Sequence, residues 1–216
     1  AAVIAAWEDA GAKFCWMGVD QDGFLFVLRQ ADVKPSEADL FAHHREVKDV
    51  PGFKFSPMMM SELLRKLPQP DTPCAMRYSN GNDWGLKKLT GLKQIQWLCV
   101  SGSGVSDAGL KELVGLTQLQ TLSLGGSGMV TDAGLRELAR LRQLRTLVLG
   151  LPRVTDAGLK ELAELTQLKT LALYQPKVTD AGLRELTRLT QLRTLHLSHT
   201  KVTDTGLNEL AGLKQL

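Results

Sequence analysis

The sequence is poor in the residues that usually announce chemistry. Its 216 positions include three cysteines (Cys15, Cys74 and Cys99), four histidines and two tyrosines. The cysteines are odd in number and scattered, with no CxxC spacing. That excludes a zinc-ribbon pattern and a disulfide framework, and it favours a reducing compartment. No apolar run reaches the roughly 18 residues of a membrane-spanning helix. The opening AAVIAAWEDAGAKF has an apolar stretch without a basic segment before it, so it does not read as a signal peptide. The missing initial Met points to an excised or processed form. Neither sign of charge dominates: 26 Lys and Arg face 23 Asp and Glu, for a net charge of +3. A nucleic-acid binder driven by electrostatics carries a more concentrated basic excess.

What is present is repetition. From Gly85 the chain reads GLKKLTGLKQIQWLCVSGSGVSDA, GLKELVGLTQLQTLSLGGSGMVTDA, GLRELARLRQLRTLVLGLPRVTDA, GLKELAELTQLKTLALYQPKVTDA and GLRELTRLTQLRTLHLSHTKVTDT, then GLNELAGLKQL. Leu144, Leu168 and Leu192 are spaced 24 residues apart, and one extra residue enters near Gly128. Within a unit, Leu147 and Leu149 stand two apart, the period of a strand with one buried face. Leu159, Leu162 and Leu165 recur every three residues, the inner stripe of a short helix or 3₁₀ segment. Asp156 stands where an N-cap belongs, and Gly158 suits close approach between stacked turns. A buried leucine contributes roughly 1.5–3 kcal/mol, so a unit becomes viable only when stacked between neighbours.

These lines resemble leucine-rich repeats of the bacterial TDxGL variety, which is related to the repeats of F-box adaptors. The resemblance implies an α/β solenoid, with a curved parallel sheet inside and short helices outside. It also implies a concave face that takes a protein partner. Three segments are expected: an N-terminal cap over 1–50 (a helix from Ala2 to Ala10, a hairpin around DQDG and a half-repeat with Leu40 and Val47 inward), degenerate repeats over 51–84, and regular repeats over 85–216. In the degenerate part Phe53 and Phe55 are assigned to a strand, Leu64 and Leu67 to a helix, and Cys74 and Met76 to core strand positions. The last unit stops at GLNELAGLKQL, so Leu207, Leu210 and Leu213 are expected at an open end. Such an end suits further repeats, a partner, or self-association.

With strand position 1 at Ile95, Leu119, Leu144, Leu168 and Leu192, the outward residues follow. Position 3 holds Trp97, Thr121, Thr146, Thr170 and Thr194, and position 5 holds Cys99, Ser123, Val148, Ala172 and His196. Positions 7 and 8 add Gly150, Leu151, Tyr174, Gln175, Ser198 and His199. The partner-binding candidates on this face are Trp97, Val148, Leu151, Tyr174, His196 and His199. His196 and His199 lie roughly 10 Å apart at about 3.3 Å per residue, with no third metal ligand expected beside them. Arg145, Lys169 and Arg193 at position 2 form a basic rim, echoed by Arg153, Lys177 and Lys201 at position 10. Two readings of the rim stay open, attraction of an acidic protein surface and a solvated flank. Gln94, Gln118, Gln143, Gln167, Gln191 and Gln215 precede the strands, and they are expected to bond one to the next as a structural ladder.

Catalytic signals are weak. No family motif surrounds Cys15, Cys74 or Cys99 as a nucleophile, or His43 and His44 as bases. SGSG and GGSG lie at repeat turns and not in a phosphate-cradling loop. The expectation is a non-enzymatic module that binds a protein on its concave face, with no cofactor, metal, nucleic acid or membrane. Two alternatives remain open: a recognition arm (sensor or ubiquitin-ligase-type adaptor) of a larger protein, and an enzyme with its chemistry in residues 1–80.

Overall fold

A computed structural model describes residues 13–19, 25–30, 48–55, 73–174 and 177–216. The helix expected at Ala2–Ala10, the positions Leu40, His43, His44, Val47, Leu64 and Leu67, and Gln175 lie outside the described residues. Nine strands form one sheet in the order β2-β1-β3-β4-β5-β6-β7-β8-β9. They are β1 Lys13–Val19, β2 Leu25–Gln30, β3 Lys48–Phe55, β4 Cys74–Ser79, β5 Ile95–Ser101, β6 Thr121–Gly125, β7 Thr146–Gly150, β8 Thr170–Tyr174 and β9 Thr194–Ser198. β1 pairs antiparallel with β2 on one side and β3 on the other, and β3 runs across residue 50. From β3 onward every pairing is parallel.

Each parallel strand from β4 on leads into a short helix: α1 Asp83–Leu89, α2 Asp107–Leu113, α3 Asp132–Leu138, α4 Asp156–Leu162, α5 Asp180–Glu185 and α6 Asp204–Glu209. A 3₁₀ turn extends each of the last two, at Leu186–Arg188 and Leu210–Gly212. A crossover this short is possible because each strand advances by one sheet position per unit. The leucines predicted to face inward do so: Leu147, Leu149, Leu159, Leu162 and Leu165 are buried, as are Cys74 and Met76. They belong to one continuous apolar core, as expected where no unit can bury its own leucines. The chain is thus a leucine-rich-repeat solenoid with its sheet on one side and its helices on the other.

The TDxGL signature has a physical explanation that corrects one expectation. The N-cap is the threonine and not the aspartate: the Thr131, Thr155 and Thr179 side chains accept from the N–H groups of Ala133, Ala157 and Ala181. Ser106 does the same for Ala108. The aspartate is free to reach the next unit. Asp132 takes the Thr155 N–H at 2.8 Å and its hydroxyl at 2.7 Å. Asp156 does the same for Thr179, and Asp107 for Thr131. Asp83 and Asp180 extend the ladder to Ser106 and Thr203. The glycine makes room for it: a Cβ at Gly134, Gly158 or Gly182 would collide with the carboxylate of Asp107, Asp132 or Asp156. In the first unit Tyr78 fills that space against Gly85, and its hydroxyl donates to Asn82 at 3.2 Å. Thr, Asp and Gly are therefore one device for joining units.

One further expectation fails and another holds only in part. Among the described residues no hydrogen bond joins one of the strand-preceding glutamines to another. Gln118, Gln143 and Gln167 are exposed, and Gln215 instead accepts from Arg193 Nε at 3.2 Å. The backbone already provides the connection there, because Lys169 N–H donates to the Arg145 carbonyl at 2.7 Å and Arg193 N–H to that of Lys169 at 2.8 Å. At the C-terminal end, Leu210 and Leu213 are buried, whereas Leu207 and Leu216 are left half exposed. The two buried leucines belong to the continuous apolar core.

Candidate protein-interaction face

The sheet's outer face is set by pleating. Met76, Leu98, Leu122, Leu147 and Leu171 form one buried row, so their neighbours along each strand point the other way. Parallel register aligns those outward residues into columns. The first runs Ala75, Trp97, Thr121, Thr146, Thr170 and Thr194. The second runs Arg77, Cys99, Ser123, Val148, Ala172 and His196, and the third Ser79, Ser101, Gly125, Gly150, Tyr174 and Ser198. Thr121, Thr146 and Thr170 are nearly covered by their neighbours, which makes the centre of the face shallow.

The named candidates separate on this frame. Trp97 and Val148 are half-buried, and Tyr174 and His196 are exposed on the outer columns. Leu151 does not belong with them: it is buried in the core. It occupies the turn just after β7, where the corresponding residues are Asn80, Gly102, Gly126 and His199. All four are polar or lack a side chain to bury, whereas the apolar Leu151 at that turn is buried. His199 is exposed with φ 58°, the left-handed conformation that Asn80 shares at φ 54°. It therefore sits at the rim turn beyond the column that holds Tyr174 and Ser198. Among the described residues no three His, Cys, Asp or Glu side chains cluster as metal ligands.

The electrostatics of the face are one-sided. Among the columns of β4 to β9 Arg77 is the sole formally charged residue. Sequence reasoning passed over Arg77 because β4 lies in the degenerate part of the chain. The signal was there in CAMRYS, where it alternates with buried Met76 and Tyr78. Its guanidinium lies close enough to Cys99 to lower that thiol's pKa, as does a side-chain hydrogen bond with Ser123. Burial outweighs both and pushes the thiol up. Burial drives the Cys74 thiol up to about 12, so neither is an activated nucleophile at neutral pH.

Two basic rows flank β7 to β9. Arg145 and Arg193 are exposed and Lys169 is partly so at the start of the strands, while Arg153, Lys177 and Lys201 are exposed beyond their ends. None of the six forms an ion pair among the described residues. The convex helices differ: Arg136 pairs with Glu161 at 3.1 Å, Arg184 with Glu209 at 2.9 Å and Arg188 with Glu164 at 3.3 Å.

Comparison with known proteins agrees with this architecture. A Leucine Rich repeat family model matches residues 188–211. No curated protein matches the sequence. Among solved structures, an internalin (inlF) from Listeria monocytogenes str. 4b F2365 is 22% identical with a TM-score of 0.45, over 65% of this chain and 46% of its own. Internalin C2 of the same strain is 24% identical with a TM-score of 0.51, over 76% of this chain and 68% of its own. The plant peptide hormone receptor RGFR1, in complex with RGF2, is 17% identical with a TM-score of 0.42, over 76% of this chain and 25% of its own. This chain thus spans less than half of the first of these proteins. The likeness to internalin C2 is one of fold. Among the described residues no helix is long and apolar enough to cross a membrane.

Proposed function

We propose that this protein, built of leucine-rich repeats, is a protein-interaction module without catalysis of its own. It holds an extended segment of a protein partner against its concave face. The observation that carries this reading is the make-up of the outer columns, which hold Trp97, Val148, Tyr174 and His196 and no acidic side chain among the described residues. Six cations around β7 to β9 have no ion-pair partner among the described residues, whereas on the helices Arg136, Arg184 and Arg188 pair with glutamates of adjacent units and Lys111 and Lys160 do not pair. Unpaired charges around a recognition face attract an oppositely charged partner, mainly by speeding encounter. Between the rows, Val148, Tyr174 and His196 supply apolar and amphipathic contact, and Trp97 supplies it further along. His199 borders the same end at the rim.

The test selects binders from a random twelve-residue peptide library displayed on phage. They are then measured against a concave variant (Trp97→Ala, Tyr174→Ala, His196→Ala) and a convex one (Lys111→Glu, Lys160→Glu). The concave variant is expected to weaken binding about tenfold or more, and the convex one to leave it unchanged. Equal binding to wild type and the concave variant would overturn the reading.

A further inference from the structure

We propose that Arg77 is a carboxylate-recognition site that anchors an acidic side chain, Asp or Glu, of the segment lying on the concave face. This rests on the concave-face reading above and names the chemistry of its occupant. Three observations lead there. First, Arg77 Nε is buried without a hydrogen-bond partner, and it is the one such side-chain atom among the described residues. A buried N–H on a cation without a partner is costly, and native proteins keep few of them. Second, the group is not sealed in: Arg77 as a whole is only partly buried, and it stands on the outer columns opposite buried Met76 and Tyr78. Third, the columns around it hold no acidic residue, so nothing on the described face competes for the guanidinium. In register beside it on β3 stands Lys54.

The planar guanidinium fork suits this role, because it accepts a carboxylate through two parallel N–H···O bonds. Trp97, in the next strand and the first column, offers an apolar flank for the same side chain. Distances along the face also fit. From β4 to β9 there are five strand intervals, or about 24 Å at roughly 4.8 Å each. An extended segment of about seven residues covers that span at about 3.3 Å per residue. One peptide can therefore place a carboxylate on Arg77 and still reach Tyr174 and His196.

The experiment uses the same displayed peptide library on the full chain, with Arg77→Gln and Arg77→Lys as parallel targets. Thermal melting confirms that each variant is folded. Wild-type binders are expected to share one Asp or Glu position. Replacing it by Asn or Gln should weaken binding to wild type about tenfold and leave binding to Arg77→Gln unchanged. Arg77→Lys retains charge without the fork and should fall between. Binders that depend on Tyr174 and His196 but share no carboxylate would overturn the Arg77 assignment alone. So would a carboxylate whose loss costs as much on Arg77→Gln as on wild type. Binders indifferent to the Trp97, Tyr174 and His196 variant would instead overturn the concave-face reading on which the assignment rests.

Discussion

Asp132 accepts two hydrogen bonds from Thr155 of the following unit, and its carboxylate fills the space that a Cβ on Gly158 would need. Removing it in Asp132→Ala leaves a partly buried N–H and hydroxyl without acceptors, a loss of about 1–3 kcal/mol. Gly158→Ala drives a methyl into the carboxylate and against Leu135 Cδ1 at 2.9 Å, and should cost about 1–3 kcal/mol. The two effects share one contact. The double variant, measured by urea unfolding, is therefore expected to lose about 1 kcal/mol less than the sum of the singles. Strict additivity would contradict the packing explanation of the glycine. The same geometry makes a pH prediction at the exposed end of the ladder. Hydrogen bonds from the Thr203 N–H and hydroxyl hold the Asp180 carboxyl below its ordinary value of 3.8. A carboxyl whose pKa is depressed in the folded state stabilises it above the unfolded value and loses that contribution as pH falls through the folded one. Melting temperature should thus drop less steeply below about pH 3.8 in Asp180→Asn than in wild type. His199 supplies a third test. Its left-handed backbone tolerates Asn or Gly, whereas His199→Val should cost about 1–2 kcal/mol by thermal melting.

At the scale of elements, much of the strand-and-helix unit was legible. Spacing of two and of three between leucines placed β5 to β9 and the inner faces of the helices, and the threonine column fell into register as expected. The cap was misread for a definite reason. Thr and Asp both cap helices well, and sequence alone does not show that Asp is recruited by a threonine one unit away. Leu151 was misplaced because strand alternation was carried one residue too far, into a turn where an apolar side chain folds into the core. The glutamine ladder failed because the backbone already joins the strand starts, leaving the amides in solvent. Arg77 was missed where the repeat pattern fades. The last unit, β9 with α6, is tied less tightly than the others. Thr203 gives its hydroxyl to Asp180 and makes no cap bond of its own, and Leu195 and Leu197 are only partly buried. Native-state hydrogen exchange should therefore be fastest in β9 and α6 and slowest in β6 to β8. Uniform protection along the array would contradict the nearest-neighbour picture.

For the whole molecule, one continuous apolar core runs between the sheet and the helices. On the helices Arg136, Arg184 and Arg188 pair with glutamates of adjacent units, and at exposed sites such pairs contribute little to stability. On the proposed binding face and its rim, Arg77 and two basic rows have no ion-pair partner among the described residues. Charge-reversal of the rim (Arg145→Glu, Lys169→Glu, Arg193→Glu) should weaken an acidic peptide ligand, chiefly through slower association, and flatten its salt dependence. The most direct test of the account is a titration of the isotope-labelled protein with one such selected peptide, followed by nuclear magnetic resonance. Shifts are predicted at the Trp97 indole N–H, the Arg77 Nε–H and the amides of Val148, Ala172 and His196. Shifts confined to the helices α2 to α5, with those concave groups unmoved, would contradict it.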